Sequence, residues 1–154
     1  MDRDNYIEGI RSAWLGEQFG HAFFNAMAGK TNDPIMASRW RTLAQLELVT
    51  GNRMATLLEA HGESATTNEI IEISDEVLQR YTEGSHIDSM TKMKATIESA
   101  LVRFDQLLAV VPDSDVGEIQ FLVSHEQALL TFVDCEISGD SDNSLAAVNK
   151  LLES

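Results

Sequence analysis

Apolar residues recur along this chain at steps of three and four, and β-branched alternation is rare. That is the helical period, so the pattern predicts an all-α protein. Over residues 5 to 29, Ile7, Ile10, Trp14, Phe24 and Ala28 share one face, and Gly29, Thr31 and Asn32 end the segment. Asp33-Pro34 offers an N-cap and a proline at the first helical position, which opens a second helix reaching about His61. Its stripe is Met36, Trp40, Leu43, Met54 and Leu58, and Gly62 stops it. Thr66 and Glu69 have capping-box spacing, predicting a shorter helix to about Thr82 that displays Ile70, Ile73, Val77 and Tyr81. Beyond Gly84-Ser85, a third long helix is expected over 89–111 through Met90, Met93, Ile97, Leu101, Phe104, Leu108 and Val111, with Pro112 as its terminator. Asp113, Ser114 or Asp115 can cap a fourth, running to Ser138 through Ile119, Leu122, Leu129 and Val133. A short last helix over 145–152 would pack Leu145, Val148 and Leu152.

Four long helices with a long connection in the middle predict one domain over residues 1–154. Its expected architecture is a four-helix bundle with a helical crossover and a short C-terminal helix.

Polar residues inside the stripes change this picture. On a helical wheel, Glu17 falls between Trp14 and Phe24, and His21 follows at i+4 on the same side. Glu47 lies near the centre of the second stripe with Thr50 one turn beyond, and Glu126 lies near the centre of the fourth. His125 and Glu136 are displaced toward an edge of that fourth stripe. Each of the three glutamates is near the middle of a long helix, so side-by-side packing would bring them to one level of the core. Three ionised carboxylates there need a divalent cation, bound protons, histidines or an arginine. Arg53 and Arg103 flank their stripes, whereas His21 and His125 are better placed. The expected metal-ligating set is therefore Glu17, His21, Glu47, His125 and Glu126.

The remaining candidates read as ordinary. His61 and His86 sit at helix ends, and the methionines fill core positions. Asp140-x-Asp142-x-Ser144 imitates a calcium loop, but the sixth and twelfth positions are Leu145 and Leu151. Helix capping and a solvent-facing loop explain it better.

Composition narrows the partners. The net charge of −14, from 25 acidic and 11 basic residues, opposes nucleic-acid binding. No apolar run approaches the roughly twenty residues of a membrane span, and Met1-Asp2-Arg3-Asp4-Asn5 does not open like a secretion signal. The single cysteine, Cys135, makes cytoplasmic residence the default and is expected to be a small buried hydrophobe. Leu15, Phe19, Ala22 and Phe23, off the main stripe of the first helix, offer either a homodimer face or a seat for the crossover helix.

The three glutamates and the long connection resemble the ferritin-like superfamily, as do the stretches Leu43-Ala44-Gln45-Leu46-Glu47 and His125-Glu126-Gln127-Ala128-Leu129 over residues 5 to 138. In di-iron members, the first and third helices each give a glutamate, and the second and fourth each give Glu-x-x-His. Glu17, Glu47 and Glu126 match three of these positions. Thr50 and Leu129 stand where the histidines would be, and the third helix offers Ile97, Ala100 and Leu101 at the expected depth. The resemblance implies a core holding one or two divalent metals, iron foremost. The alternatives are a metal-free helical adaptor or small-molecule-binding protein, and, more weakly, a storage cage.

Overall fold

Asp2 accepts a hydrogen bond from the backbone N–H of Asn5 and starts the first helix, α1 (Arg3–Lys30). Asp33 does the same for Ile35 ahead of Pro34, starting α2 (Pro34–Ala60) after a three-residue turn. In the computed structural model, which describes residues 2–66 and 71–154, four more helices follow. These are α3 (Asp75–Thr82), α4 (His86–Ala109), α5 (Val116–Ser138) and α6 (Ala146–Leu152). Single 3-10 turns at Asp113–Asp115 and Ser141–Asn143 precede α5 and α6. The described residues include no strand, and no described helix is long and apolar enough to cross a membrane.

Two boundaries differ from the sequence expectation. The crossover helix is shorter than 66–82: residues 71–74 are not helical, and Ser74 caps α3 by accepting from the Val77 N–H. Glu69 and Ile70 lie outside the described residues. The third long helix starts at His86, three residues earlier than expected, because Ser85 and Asp88 form a reciprocal capping box.

Hydrogen bonds between helix ends fix the helix directions. Arg3, at the start of α1, donates to the carbonyl of His61 at the end of α2, and His61 reaches Asp115 at the start of α5. At the opposite end Glu136, late in α5, meets Arg39 early in α2 and His86 at the start of α4. Hence α1 and α2 form one antiparallel hairpin and α4 and α5 another. The crossover carries the chain back along the molecule, so α2 and α4 run parallel.

The expected stripes face inward. Ile7, Ile10, Trp14, Phe24, Ala28, Trp40, Leu43, Met54, Leu58, Ile119, Leu122, Leu129 and Val133 are all buried. Yet the core is not continuous. One cluster joins Phe23, Phe24, Trp40, Met90, Phe132 and Val148, and the other joins Tyr6, Ile10, Trp14, Leu58, Phe104 and Leu122. Between them lies a polar layer.

Phe23 goes under the crossover helix, edge-on to Tyr81 at a centroid distance of 5.0 Å. Ala22 is half-buried, while Leu15 and Phe19 stay exposed. Cys135 is half-buried, not fully buried, because it lies on the flank of α5 beside Asp134 and Glu136.

Candidate metal centre

The polar layer is Glu17, Glu47, Thr50, His125 and Glu126, every one buried. Helix α1 contributes Glu17, α2 contributes Glu47 and Thr50 one turn apart, and α5 contributes the adjacent pair His125 and Glu126. The ring of His125 is at the centre. Its Nε2 is 3.3 Å from Glu17 Oε2, 3.3 Å from Glu47 Oε2 and 3.7 Å from Glu126 Oε1. Its Nδ1 meets Thr50 Oγ1 at 2.6 Å. Neither His125 Nε2 nor Glu17 Oε2 has a hydrogen-bond partner of acceptable geometry, although both are fully enclosed. An unpaired buried group of this kind costs about 1–3 kcal/mol, more if charged.

Glycine makes room for the acids. A Cβ at Gly20 would fall 2.6 to 2.9 Å from the carboxylate atoms of Glu47, and one at Gly51 would lie 3.3 Å from Glu17 Cβ. Each hairpin helix thus has a bare spot opposite the other's glutamate. This reciprocal arrangement lets α1 and α2 approach closely while both carboxylates turn inward.

Burial dominates the electrostatics. It raises Glu17 well above the ordinary carboxyl range, and the nearby charge of Glu47 adds to the rise. Burial likewise pushes Glu47 up to about 8, against a lowering hydrogen bond from Glu17. Glu126 is pushed up to about 7, mainly by burial, with the charges of His125 and Arg103 opposing. All three acids resist ionisation at neutral pH unless positive charge joins them.

Four of the five expected ligands come together. Glu17, Glu47, Glu126 and His125 converge; His21 does not. Its Nδ1–H donates to the Ala44 carbonyl at 2.9 Å, and its Nε2 accepts from Asn25 at 3.3 Å. An i+4 step advances about 40° beyond a full turn, and in the tight α1–α2 hairpin this sends His21 along the backbone of α2 instead of into the core. Arg53, which flanks the second stripe, stacks 3.8 Å over the Phe121 ring and approaches Glu118 at 3.7 Å. Thr50 was visible in the stripe, but its hydrogen bond to His125 was not. The glycines opposite Glu17 and Glu47 carried no chemical signal in the sequence.

Two other buried acids lie at the ends of the molecule, each with partners. Asp115 Oδ2 accepts from Tyr6 at 2.7 Å and from His61 at 2.7 Å, and Oδ1 accepts from Ser114 at 3.1 Å. These bonds hold its carboxyl below the ordinary range in spite of burial. Glu136 accepts from Arg39 at 3.4 and 3.5 Å and from His86 at 3.0 Å. Thus His61 and His86 do sit at helix ends, and each serves a buried carboxylate there.

The polar layer opens to one side. A cavity of about 570 Å³ runs between α1 and α4, with Glu17, Glu47 and Glu126 on its floor and Phe23, Tyr81, Phe104 and Phe132 among its walls. Helix α4 contributes no acid at this level; its Ile97 and Ala100 line the cavity. No protein-family model matches this chain, and neither curated proteins nor solved structures include one detectably similar to it.

Proposed function

We propose that Glu17, Glu47, Glu126 and His125 form a divalent-metal centre within a ferritin-like helical scaffold, with iron the leading candidate. The observation that carries this reading is the fully buried, unpartnered Nε2 of His125 facing three carboxylates. Thr50 can accept from Nδ1–H, and that tautomer leaves the Nε2 lone pair aimed at the acids. Such a pocket favours a cation or a proton.

The donor spacing fits the group. Ligand atoms each about 2.1 Å from a shared tetrahedral ion are separated by about 3.4 Å, and the three oxygens lie 3.3 to 3.7 Å from Nε2. Of the four, Glu17, His125 and Glu126 offer donor atoms all within 4.8 Å of one another, while Glu47 stands outside that set and approaches it at His125 Nε2. Three acids would balance a divalent charge, and the hard oxygens with one imidazole suit iron, manganese or zinc. A bound ion would supply Lewis acidity and, if iron, one-electron exchange. The chain's own part is to orient His125 through Thr50, hold the acids together and present the ion to the adjoining cavity. The helix directions, two hairpins joined by one crossover, support the scaffold reading.

The test is metal analysis of untagged protein purified anaerobically without chelator, followed by Fe(II) titration. Stoichiometric binding that Glu47→Gln abolishes is the expected result. A wild-type chain that takes up no ion and whose Tm ignores Fe(II), Mn(II) and Zn(II) would sink it. A second reading, a metal-free small-molecule binder whose acids share protons, draws on the adjoining cavity; it predicts that outcome.

A further inference from the structure

We infer that the cleft between α1 and α4 binds an anionic amphiphile with a single linear hydrocarbon chain, its head at Arg103 beside the acid layer and its chain running toward Phe23 and Tyr81. The inference deepens the metal-centre reading, and only the juxtaposition with an ion rests on that reading.

Shape is the first argument. The cleft is lined along α1 from Gly9 to Phe24 and along α4 from Met93 to Leu107. At 1.5 Å per residue, each wall is roughly 20 Å long. A cavity of about 570 Å³ spread over that length is a slot for a chain, not a bowl for a compact ring system. Gly16 lines the slot, and a Cβ built there meets nothing within 4 Å, so the space beside the acid layer is open.

Lining is the second. Away from the floor the walls are aromatic and aliphatic, so they reward burial of methylene groups. The carboxyls of Glu17, Glu47 and Glu126 reach the slot near its midpoint. A hydrocarbon can pass them once their charge is cancelled, by the ion of the proposed centre or by protons.

Charge complementarity is the third. In a chain of net charge −14, the rim of this cleft holds Arg80 and Arg103. Arg80 lies 3.8 Å from Glu76. Arg103 donates to the Ser99 hydroxyl at 3.2 Å and lies 5.9 Å from the Phe104 ring; its charge acts on Glu126, but among the described residues no carboxylate lies within 4.0 Å of it. An exposed guanidinium on the rim of an apolar slot, turned back toward Ser99, is suited to a carboxylate or sulfate head. From Arg103 the chain would run past Ala100 and Ile97 toward Phe23, Tyr81 and Phe132 at the far end.

Parinaric acid, a linear polyene carboxylate that fluoresces when removed from water, is the probe. Saturable binding is expected, competed by tetradecanoate and tetradecyl sulfate. Gly16→Phe fills the slot without a backbone clash and should weaken binding about tenfold or more, with Fe(II) uptake intact. Arg103→Gln should weaken binding of the acid several-fold and leave binding of parinaryl alcohol unchanged. Absence of saturable binding to the wild type, or affinity that ignores Gly16→Phe, overturns the inference. Displacement by naphthalene as effectively as by tetradecanoate overturns the chain-shaped ligand. An identical effect of Arg103→Gln on acid and alcohol overturns the placement of the head. Glu47→Gln separates the two readings: loss of Fe(II) with retained probe binding keeps both, while a wild type that binds probe and no ion defeats the metal centre alone.

Discussion

The buried acids at the ends of this molecule and those at its middle obey opposite arrangements. Asp115 has Tyr6, His61 and Ser114 around it, and Glu136 has Arg39 and His86. Their negative charge is answered by donors on neighbouring helices, and each ties three elements together. Glu17, Glu47 and Glu126 share one histidine whose Nε2 makes no hydrogen bond. Burial is equally complete at both places, so burial alone does not distinguish a fastening from a candidate site. What distinguishes them is whether the polar atoms are satisfied.

The comparison breaks most sharply if an end is stripped of its cation. Arg39→Met leaves the enclosed Glu136 with only His86, and equilibrium urea unfolding should show a loss on the order of 3 kcal/mol. Tests by pH should give opposite slopes. In the middle, Glu47 and Glu126 are pushed up to about 8 and about 7, so their folded forms hold protons that the unfolded chain releases near its ordinary carboxyl range. Metal-free protein should therefore lose stability as pH rises from about 5 to about 8, by several kcal/mol, and saturating Fe(II) should flatten that slope. At the end, Asp115 is held low, so its contribution is present at neutral pH and disappears only as pH falls below the ordinary carboxyl range. A titration of Tm that rises with pH across the whole span from 5 to 8 without metal would show the middle acids to be satisfied after all.

Smaller effects sharpen the distinction. Tyr6→Phe removes one donor from Asp115 and should cost about 1.5–2 kcal/mol, with no change in metal affinity. Glu47→Gln removes a charge that lacks an adequate partner, so the metal-free protein should become more stable at pH 8 by about 1 kcal/mol while cation-induced stabilisation vanishes. Gly20→Ala should alter stability by less than about 1 kcal/mol, since better helix propensity offsets displacement of the flexible Glu47 carboxylate. Its signature is weaker Fe(II) binding in isothermal titration. Unaltered affinity would show that Glu47 does not need the space above Gly20.

Much of this contrast could be read along the chain. The stripes on the four long helices were legible because each buries one face, and the three glutamates stood out because they break those stripes at matching depth. The histidines were harder. His21 and Glu17 are neighbours on a wheel, but the backbone of α2 captures the ring. His125 looked like an edge residue next to Glu126, yet α5 is covered on both flanks, by α4 on one side and by α2 and α6 on the other, so its edges are as buried as its centre. A helix that is apolar nearly all round, with Phe121, Leu122, Val123, Ala128, Leu129, Phe132 and Val133 inside, carried that signal in its breadth. Apart from the adjacent Ser114, the partners of Asp115 and Glu136 come from residues 50 to 109 positions away, and no local pattern encodes such pairings. The cleft was similarly hidden, because it arises where α4 offers small and apolar side chains opposite the glycines of α1.

The acid layer also has a topological meaning. Glu17 and Glu47 belong to the first hairpin, while His125 and Glu126 belong to the second. An ion held by all four would cross-link the hairpins and close a loop of roughly a hundred residues. In the chain-entropy account, a covalent closure of that length is worth about 4–5 kcal/mol, taken from the unfolded ensemble and not from the folded contacts. The polar seam that divides the apolar core in two would then become the rivet that makes both halves unfold together.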